Sequence, residues 1–187
     1  NHFLALKLAD APRDRLAQVA ERFQAWDLPA SWIDPEDYHL TVAFLGELDA
    51  DEAHLLPSAI DLVASGLRRP LLRFSGIGAT GGRSEPRAVF AALEDIDARC
   101  ADIHLDLCAG LELPRDQTFA PHVTMCHPRR AGAWQTPAPG RTWSDLFLAN
   151  GLADWGTCET TDLVFYRRRE GPGSRYEVLA DWPLVAA

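Results

Sequence analysis

The sequence contains one short pattern twice: a histidine and a threonine separated by one apolar residue and followed by another. The first copy lies in YHLTVAFLG at residues 38–46 and the second in FAPHVTMCH at residues 119–127. Both runs alternate apolar and polar residues, which favours a β-strand over a helix. In a strand, residues two apart share a face and lie about 6.6 Å from each other. The pattern therefore predicts two strands that each present a histidine and a threonine together.

We expect His39 with Thr41, and His122 with Thr124, to project from the same side of their strands. A helix would place these residues on nearly opposite sides. The apolar residues between and after them should point into the core: Leu40, Val42, Val123 and Met125.

Strand-like and helix-like segments alternate along the rest of the chain. Further strands are predicted at residues 2–8, 70–80, 87–94, 158–169 and 174–185. Helices are predicted at residues 12–26, capped by Asp10, from Asp49 to about Ser65, and within residues 95–113. Residues 28–38 are expected to form a loop, and the Pro- and Gly-rich segment 128–156 a flap.

This order of segments predicts an α+β fold of two similar lobes, each a small antiparallel sheet with outer helices. The two histidine patterns lie 83 residues apart, close to half of the 187-residue chain. We therefore expect one pattern in each lobe, an active-site cleft between the lobes, and a single domain over residues 1–187. Because one chain would supply both halves of the site, we expect a monomer.

Charge and composition exclude some classes of function. The formal net charge of -9 and the pI near 5.0 argue against a protein that coats long nucleic acid through its phosphates. A small anion could still bind in a locally positive cleft. No apolar run has the length needed to cross a bilayer, and residues 1–8 are too short for a signal peptide. We therefore expect a cytoplasmic protein with no membrane partner.

The four cysteines form no CxxC pair, so we expect buried free thiols: Cys100, Cys108, Cys126 and Cys158. Cys126, His127 and His122 could be imagined as metal ligands. Adjacent residues of a strand point to opposite faces, however, and no matching CxxC or HxxxH motif accompanies them. We expect neither a metal nor a cofactor.

Two histidines that meet in a cleft can divide acid and base work, because an imidazole with a pKa near 6.5 can be neutral or protonated at working pH. Such a pair suits displacement at phosphorus, where water loses a proton on one side and the leaving oxygen gains one on the other. Two threonine hydroxyls facing the same space can donate hydrogen bonds to the non-bridging phosphate oxygens.

The segments HLTVAFLGEL and FAPHVTMC resemble the twin signatures of the 2H phosphoesterase superfamily. The chain is similar to its bacterial RNA 2',3'-cyclic phosphodiesterase branch, also called the 2'-5' RNA ligase family. The similarity extends to FLALKLAD, PRAVFAAL and LVFYRRREGPGSRYEVLADWPL, and so to nearly the whole chain. The resemblance implies metal-independent opening of a 2',3'-cyclic phosphate, on RNA ends or small nucleotides, to a 2'-phosphate. Some members of the family join RNA ends through a 2'-5' bond.

The resemblance also implies roles for the motif residues. His39 would protonate the departing 3'-oxygen, His122 would activate water, and Thr41 and Thr124 would bind the phosphate. The family commonly has an arginine three residues after the second threonine, where this chain has His127. An imidazole would bind phosphate more weakly than a fixed guanidinium.

Other cationic and aromatic residues are candidates for binding RNA. Arg129 or Arg130 could compensate for the missing arginine, and Arg167 or Arg169 could lie on the rim of the cleft. Exposed tryptophans could stack a base: Trp134, Trp143 and Trp155. Two alternative functions remain open, a non-catalytic module that binds nucleotides or RNA ends, and a phosphodiesterase for another small cyclic or 2'-5' linked substrate.

Overall fold

The computed structural model describes residues 1–129, 140–169 and 174–186. Within these residues, four helices pack on two antiparallel sheets, which confirms the predicted α+β class. The strands are β1 (His2–Leu8), β2 (Ala30–Trp32), β3 (His39–Gly46), β4 (Leu72–Gly81), β5 (Pro86–Asp95), β6 (His122–Pro128), β7 (Asp154–Thr157), β8 (Thr160–Arg168) and β9 (Tyr176–Pro183). The helices are α1 (Asp10–Gln24), α2 (Ala50–Ala64), α3 (Arg99–Gly110) and α4 (Trp143–Asn150).

The two sheets take strands from different parts of the chain. The first sheet has the strand order β3-β1-β8-β9, so it joins the first strands of the chain to the last ones. The second sheet has the order β2-β6-β5-β4-β7. Each predicted lobe therefore corresponds to one sheet, although neither lobe is a continuous half of the sequence.

One continuous hydrophobic core runs through both sheets. Central strand β1 is buried at six of its seven positions, as its nearly unbroken apolar sequence requires. Leu6 of the first sheet and Met125 of the second are both fully buried members of this core. Helix α3 packs against β3 and β5 and so contacts both sheets.

The ends of the helices test the predicted caps. Asp49 caps α2 as predicted, and Glu52 completes a capping box. The prediction for Asp10 is wrong, because the residue at the N-cap of α1 is Ala9 and no side chain caps this helix. Asp10 is instead the first helical residue, where its negative charge favours the positive end of the helix dipole.

Two segments predicted to be irregular contain regular structure. Strand β2 lies inside the predicted loop 28–38, where it pairs with β6. Helix α4 and strand β7 lie inside the predicted flap 128–156, so the prediction of a flap is wrong for its second half. Thr142 and Asp145 form a capping box at the start of α4.

All four cysteines are buried and free, which confirms the expectation for them. None of the helices in the described parts of the chain is long and apolar enough to cross a membrane.

Candidate active site

Strands β3 and β6 bring the two histidine patterns together, because these strands contact each other where the two sheets meet. His39 and Thr41 on β3 are half-buried, as are His122 and Thr124 on β6. The alternating apolar residues are at most 1% exposed, which confirms the predicted faces of both strands: Leu40, Val42, Val123 and Met125.

A cavity of about 320 Å³ contains both patterns. Five of the predicted site residues line it: His39, Thr41, His122, Thr124 and His127. Further lining comes from the first sheet, mainly from Phe3 and Phe44, and from Arg168 and Tyr176 near the far edge of that sheet. The cavity is therefore lined by side chains from both sheets.

The two imidazoles are held in the same way. Nδ1 of His39 lies 2.7 Å from the carbonyl oxygen of Asp37, and Nδ1 of His122 lies 2.9 Å from that of Ala120. A carbonyl oxygen can only accept a hydrogen bond, so Nδ1 carries the proton in both rings. In the neutral form, Nε2 of each ring is then left to accept a proton, and in the charged form to donate one.

The surroundings of His39 are strongly aromatic. Its ring centre lies 4.9 Å from that of Phe3, 5.8 Å from that of Tyr166 and 4.8 Å from that of Tyr176. Burial lowers the pKa of His39, and the charge of His122 lowers it further, while the carbonyl and carboxylate of Asp37 act in the opposite direction. This effect of His122 on His39 agrees with the position of both rings in one cavity.

The carboxylate of Asp37 ties this aromatic cluster to the end of the chain. It is 6% exposed and accepts hydrogen bonds from Oγ of Ser174 at 2.6 Å and from the main-chain N–H of Arg175 at 3.1 Å. One residue therefore orients the His39 ring through its carbonyl and fixes the start of β9, beside Tyr176, through its side chain. No feature of the sequence pattern had pointed to this residue.

Of the predicted arginines that the structure describes, none lines this cavity. Nε of Arg129 donates to Oγ of Ser31 at 2.7 Å, and Arg129 lines a separate cavity. Arg167 forms an ion pair with Glu177 at 2.7 Å. Arg130 lies outside the described residues. Among the described residues, the arginine that lines the cavity is Arg168, which the sequence analysis missed.

A second cavity, of about 500 Å³, opens beside the first. The two cavities share three residues, Thr41, Phe44 and His122. Phe90 and Phe119 add aromatic surface to the second cavity, and Phe44 is 77% exposed at the junction. Space for a group larger than a phosphate therefore lies directly beside the histidine pair.

The two candidate tryptophans that the structure describes do not support the predicted base stacking. Trp143 is buried, and half-buried Trp155 packs against Phe23 and Phe74, so both belong to the core and its margin. Trp134 lies outside the described residues.

The remaining histidines have structural surroundings or lie on the surface. Nδ1 of buried His104 lies 2.7 Å from the carbonyl oxygen of Val42. His2 also lines the histidine cavity, and it accepts a hydrogen bond from the N–H of Leu48. His54 is exposed on α2. Among the residues that the structure describes, no three His, Cys, Asp or Glu side chains are grouped so that they could hold a metal ion. Cys126 is buried and does not line the cavity.

One family model matches part of this chain. Residues 6–90 match the family model described as LigT like Phosphoesterase, a match that includes the first histidine pattern. The match spans less than half of the chain, and over these residues the protein is similar to LigT-like phosphoesterases, which confirms the resemblance seen in the motifs.

Two relatives are both named RNA 2',3'-cyclic phosphodiesterase. The protein from Geobacillus stearothermophilus is 27% identical over 196 residues, which include the whole chain but only 58% of the relative. The protein from Thermotoga maritima is 22% identical over 126 residues, or 66% of this chain and 67% of the relative. The chain thus spans little more than half the length of the first of these relatives.

Solved structures share the fold over almost the full length. The protein TT0787 of Thermus thermophilus has a TM-score of 0.76 at 23% identity and covers 99% of this chain and 98% of its own. E. coli LigT complexed with 3'-AMP has a TM-score of 0.66 at 21% identity, with coverage of 98% and 97%. E. coli LigT complexed with phosphate has a TM-score of 0.62, also at 21% identity, with coverage of 98% and 96%. At sequence identities this low, the likeness shows a shared fold alone.

Proposed function

We propose that this protein hydrolyses 2',3'-cyclic phosphates at RNA ends or on small nucleotides, without a metal, by two-histidine acid and base catalysis. One observation carries the proposal: the two histidines and two threonines of the repeated pattern line a single cavity, although they come from different sheets. The names of the two relatives agree with this substrate class. The complex of E. coli LigT with 3'-AMP agrees with a nucleotide ligand.

The proposed reaction is a displacement at phosphorus. Nε2 of His122 takes a proton from water while the water oxygen bonds to phosphorus, and the bond from phosphorus to the 3'-oxygen breaks. Nε2 of His39 gives its proton to that oxygen, which leaves a 2'-phosphate and a 3'-hydroxyl. Thr41 and Thr124 donate hydrogen bonds to the non-bridging oxygens, where negative charge increases in the transition state. Proton exchange with solvent restores both rings.

The second cavity supports a nucleotide as the substrate. A phosphate between the histidines would place its attached nucleoside within reach of the space beside His122, where Phe44 offers an exposed aromatic face. If a 5'-hydroxyl of a second RNA end replaced the water, the same displacement would produce a 2'-5' bond. This is the ligation reaction that the family resemblance implies.

Alanine at either histidine should abolish the hydrolysis of 2',3'-cyclic AMP measured in EDTA. Each proton transfer typically contributes about 10² to 10⁴ in rate, so each of His39→Ala and His122→Ala should lose at least about 10²-fold in kcat/KM. His54→Ala, on the exposed surface of α2, is the control, and circular dichroism checks the fold. Phosphorus NMR identifies the product. Normal rates in both variants would remove the proposal, and tight binding of 2'-AMP without turnover in the wild type would favour the non-catalytic module.

A sulphur leaving group separates the two roles. In a substrate with sulphur in place of the 3'-oxygen, the leaving thiolate needs no protonation because thiols are far stronger acids than alcohols. The defect of His39→Ala should therefore be at least about tenfold smaller on the sulphur substrate than on the oxygen one. The defect of His122→Ala should be the same on both. The opposite pattern would exchange the acid and the base. If each variant had the same defect on the sulphur substrate as on the oxygen substrate, neither ring would protonate the leaving group.

A further inference from the structure

The charges around the histidine cavity differ from those of the whole chain. The formal net charge of the protein is -9, yet no aspartate or glutamate is among the described residues that line this cavity. Arg168 is the one arginine or lysine among those residues. A guanidinium remains charged at every working pH, unlike an imidazole. The cavity is therefore a local site for an anion on an acidic protein.

Strand geometry explains why Arg168 reaches the cavity and its neighbour does not. Tyr166 lies against the ring of His39, so Tyr166 faces the cleft. Arg168 is two residues further along β8 and shares this face. Arg167 faces the other side, where its register partner on β9 is Glu177, with which it forms the ion pair.

A second observation places the charge of Arg168 close to Tyr176, which also lines the cavity. Arg168 and Tyr176 are register partners on β8 and β9, and Tyr176 contacts the ring of His39. Burial raises the pKa of Tyr176, and the charge of Arg168 partly opposes this effect. The positive charge is thus close enough to act on a side chain that touches the catalytic ring.

We propose that Arg168 binds the reacting phosphate and supplies the fixed positive charge that the family resemblance places where this chain has His127. The inference rests on the proposed function, because it assigns the anion of that substrate to this residue. His127 lines the same cavity from β6, on the opposite sheet, so the two positions face one space from two sides. A cation on β8 can therefore bind the same phosphate that a cation on β6 would bind.

Removal of the charge tests the proposal. Arg168→Gln should weaken the binding of 2'-AMP and lower kcat/KM for 2',3'-cyclic AMP, each by roughly 10- to 100-fold, because a charge-assisted contact to phosphate is lost. Arg168→Lys should recover part of both. Arg22→Gln removes one positive charge from the exposed end of α1 and is the control for net charge. Binding is measured by calorimetry, with thermal unfolding as the check on folding.

A rescue variant distinguishes phosphate binding from a structural effect. His127→Arg, introduced into Arg168→Gln, should restore most of the lost affinity, because it returns a guanidinium to the same cavity from the other sheet. A merely structural loss at position 168 would not respond to this change. Unchanged binding in Arg168→Gln, or no recovery in the double variant, would overturn the proposal.

Substrates of different length show which phosphate Arg168 holds. The loss should be equal for 2',3'-cyclic AMP and for a dinucleotide that ends in a cyclic phosphate, since both carry the reacting phosphate. A clearly larger loss on the dinucleotide would assign Arg168 to the neighbouring phosphate and would overturn the inference. Weakened 2'-AMP binding in a protein without turnover would retain Arg168 as the anion ligand while removing the proposed function. Failure of the wild type to bind 2'-AMP or to act on either substrate would remove both.

Discussion

The two histidines share one hydrogen-bond arrangement but have different neighbours. His39 lies within a cluster of three aromatic rings, whereas the ring near His122 is Phe90, with a centre distance of 4.6 Å. Burial of His39 favours its neutral form and lowers its pKa. In the proposed mechanism His39 must be protonated to act as the acid. The negative charge of the bound phosphate would supply the missing stabilisation, so substrate binding would itself prepare the acid.

Titration of His39 should follow this reasoning. In the free protein its pKa should lie below the ordinary value of 6.5. The pKa should rise when phosphate binds, because an anion favours the imidazolium, and in His122→Ala, because a nearby positive charge is removed. Since the acid must be protonated, kcat/KM should fall as the pH rises through the lowered pKa. In the complex, kcat should fall only at higher pH.

NMR of the histidine Cε1–H groups gives the measurement, with the His39 signal assigned by its loss in His39→Ala. A pKa at or above 6.5 in the free protein would contradict the effect of burial. A pKa that phosphate does not move would contradict the proposal that the substrate prepares the acid.

At the scale of strands, the sequence predicts on which face of a strand a side chain lies, provided that apolar residues alternate with polar ones. This holds for β3 and β6, since burial of Leu40 and Val123 leaves one face for His39 and His122. The run of three arginines at 167–169 has no such alternation, so it does not determine which of them faces the cleft. The tertiary contact between Tyr166 and His39 determines that Arg168 faces the cleft.

Short or interrupted elements show a different limit of prediction from the sequence. Strand β2 has three residues, too few for any period to appear, and it forms because β6 offers a partner. Helix α4 did have a local signal, the Thr142 and Asp145 capping box ahead of apolar residues, but the prolines and glycines before it favoured a loop. The position of Asp37 could not be predicted, because its function in the fold depends on a contact with Ser174, 137 residues away.

At the scale of the whole molecule, the site exists only when both sheets are packed together. The first sheet needs β1 and β3 from one end of the chain and β8 and β9 from the other, and the second sheet contains β2 and every described strand between β3 and β8. The hydrophobic core is continuous through both. Neither sheet can therefore be assembled from one half of the chain, and we expect the described structure to unfold in a single cooperative transition.

A substitution confined to the second sheet should therefore destabilise the first one equally. Gly76 in β4 has a φ of +90°, and a Cβ atom there would overlap the carbonyl oxygen of Gly151. Gly66 has a similar φ of +84° with open space around it, so Gly66→Ala measures the conformational cost alone. That cost is about 1 to 2 kcal/mol, and the overlap should add about 1 to 3 kcal/mol in Gly76→Ala.

Hydrogen exchange, measured separately for β1 and β5, decides whether the sheets respond together. In Gly76→Ala, protection should fall by the same free energy in both strands, although β1 lies in the other sheet. Thermal unfolding should also show one midpoint, lowered by about 2 to 4 °C for each kcal/mol lost. Loss of protection in β5 with β1 unchanged would show that the sheets unfold separately. The histidine pair would then be separable by local unfolding, since its two members belong to different sheets.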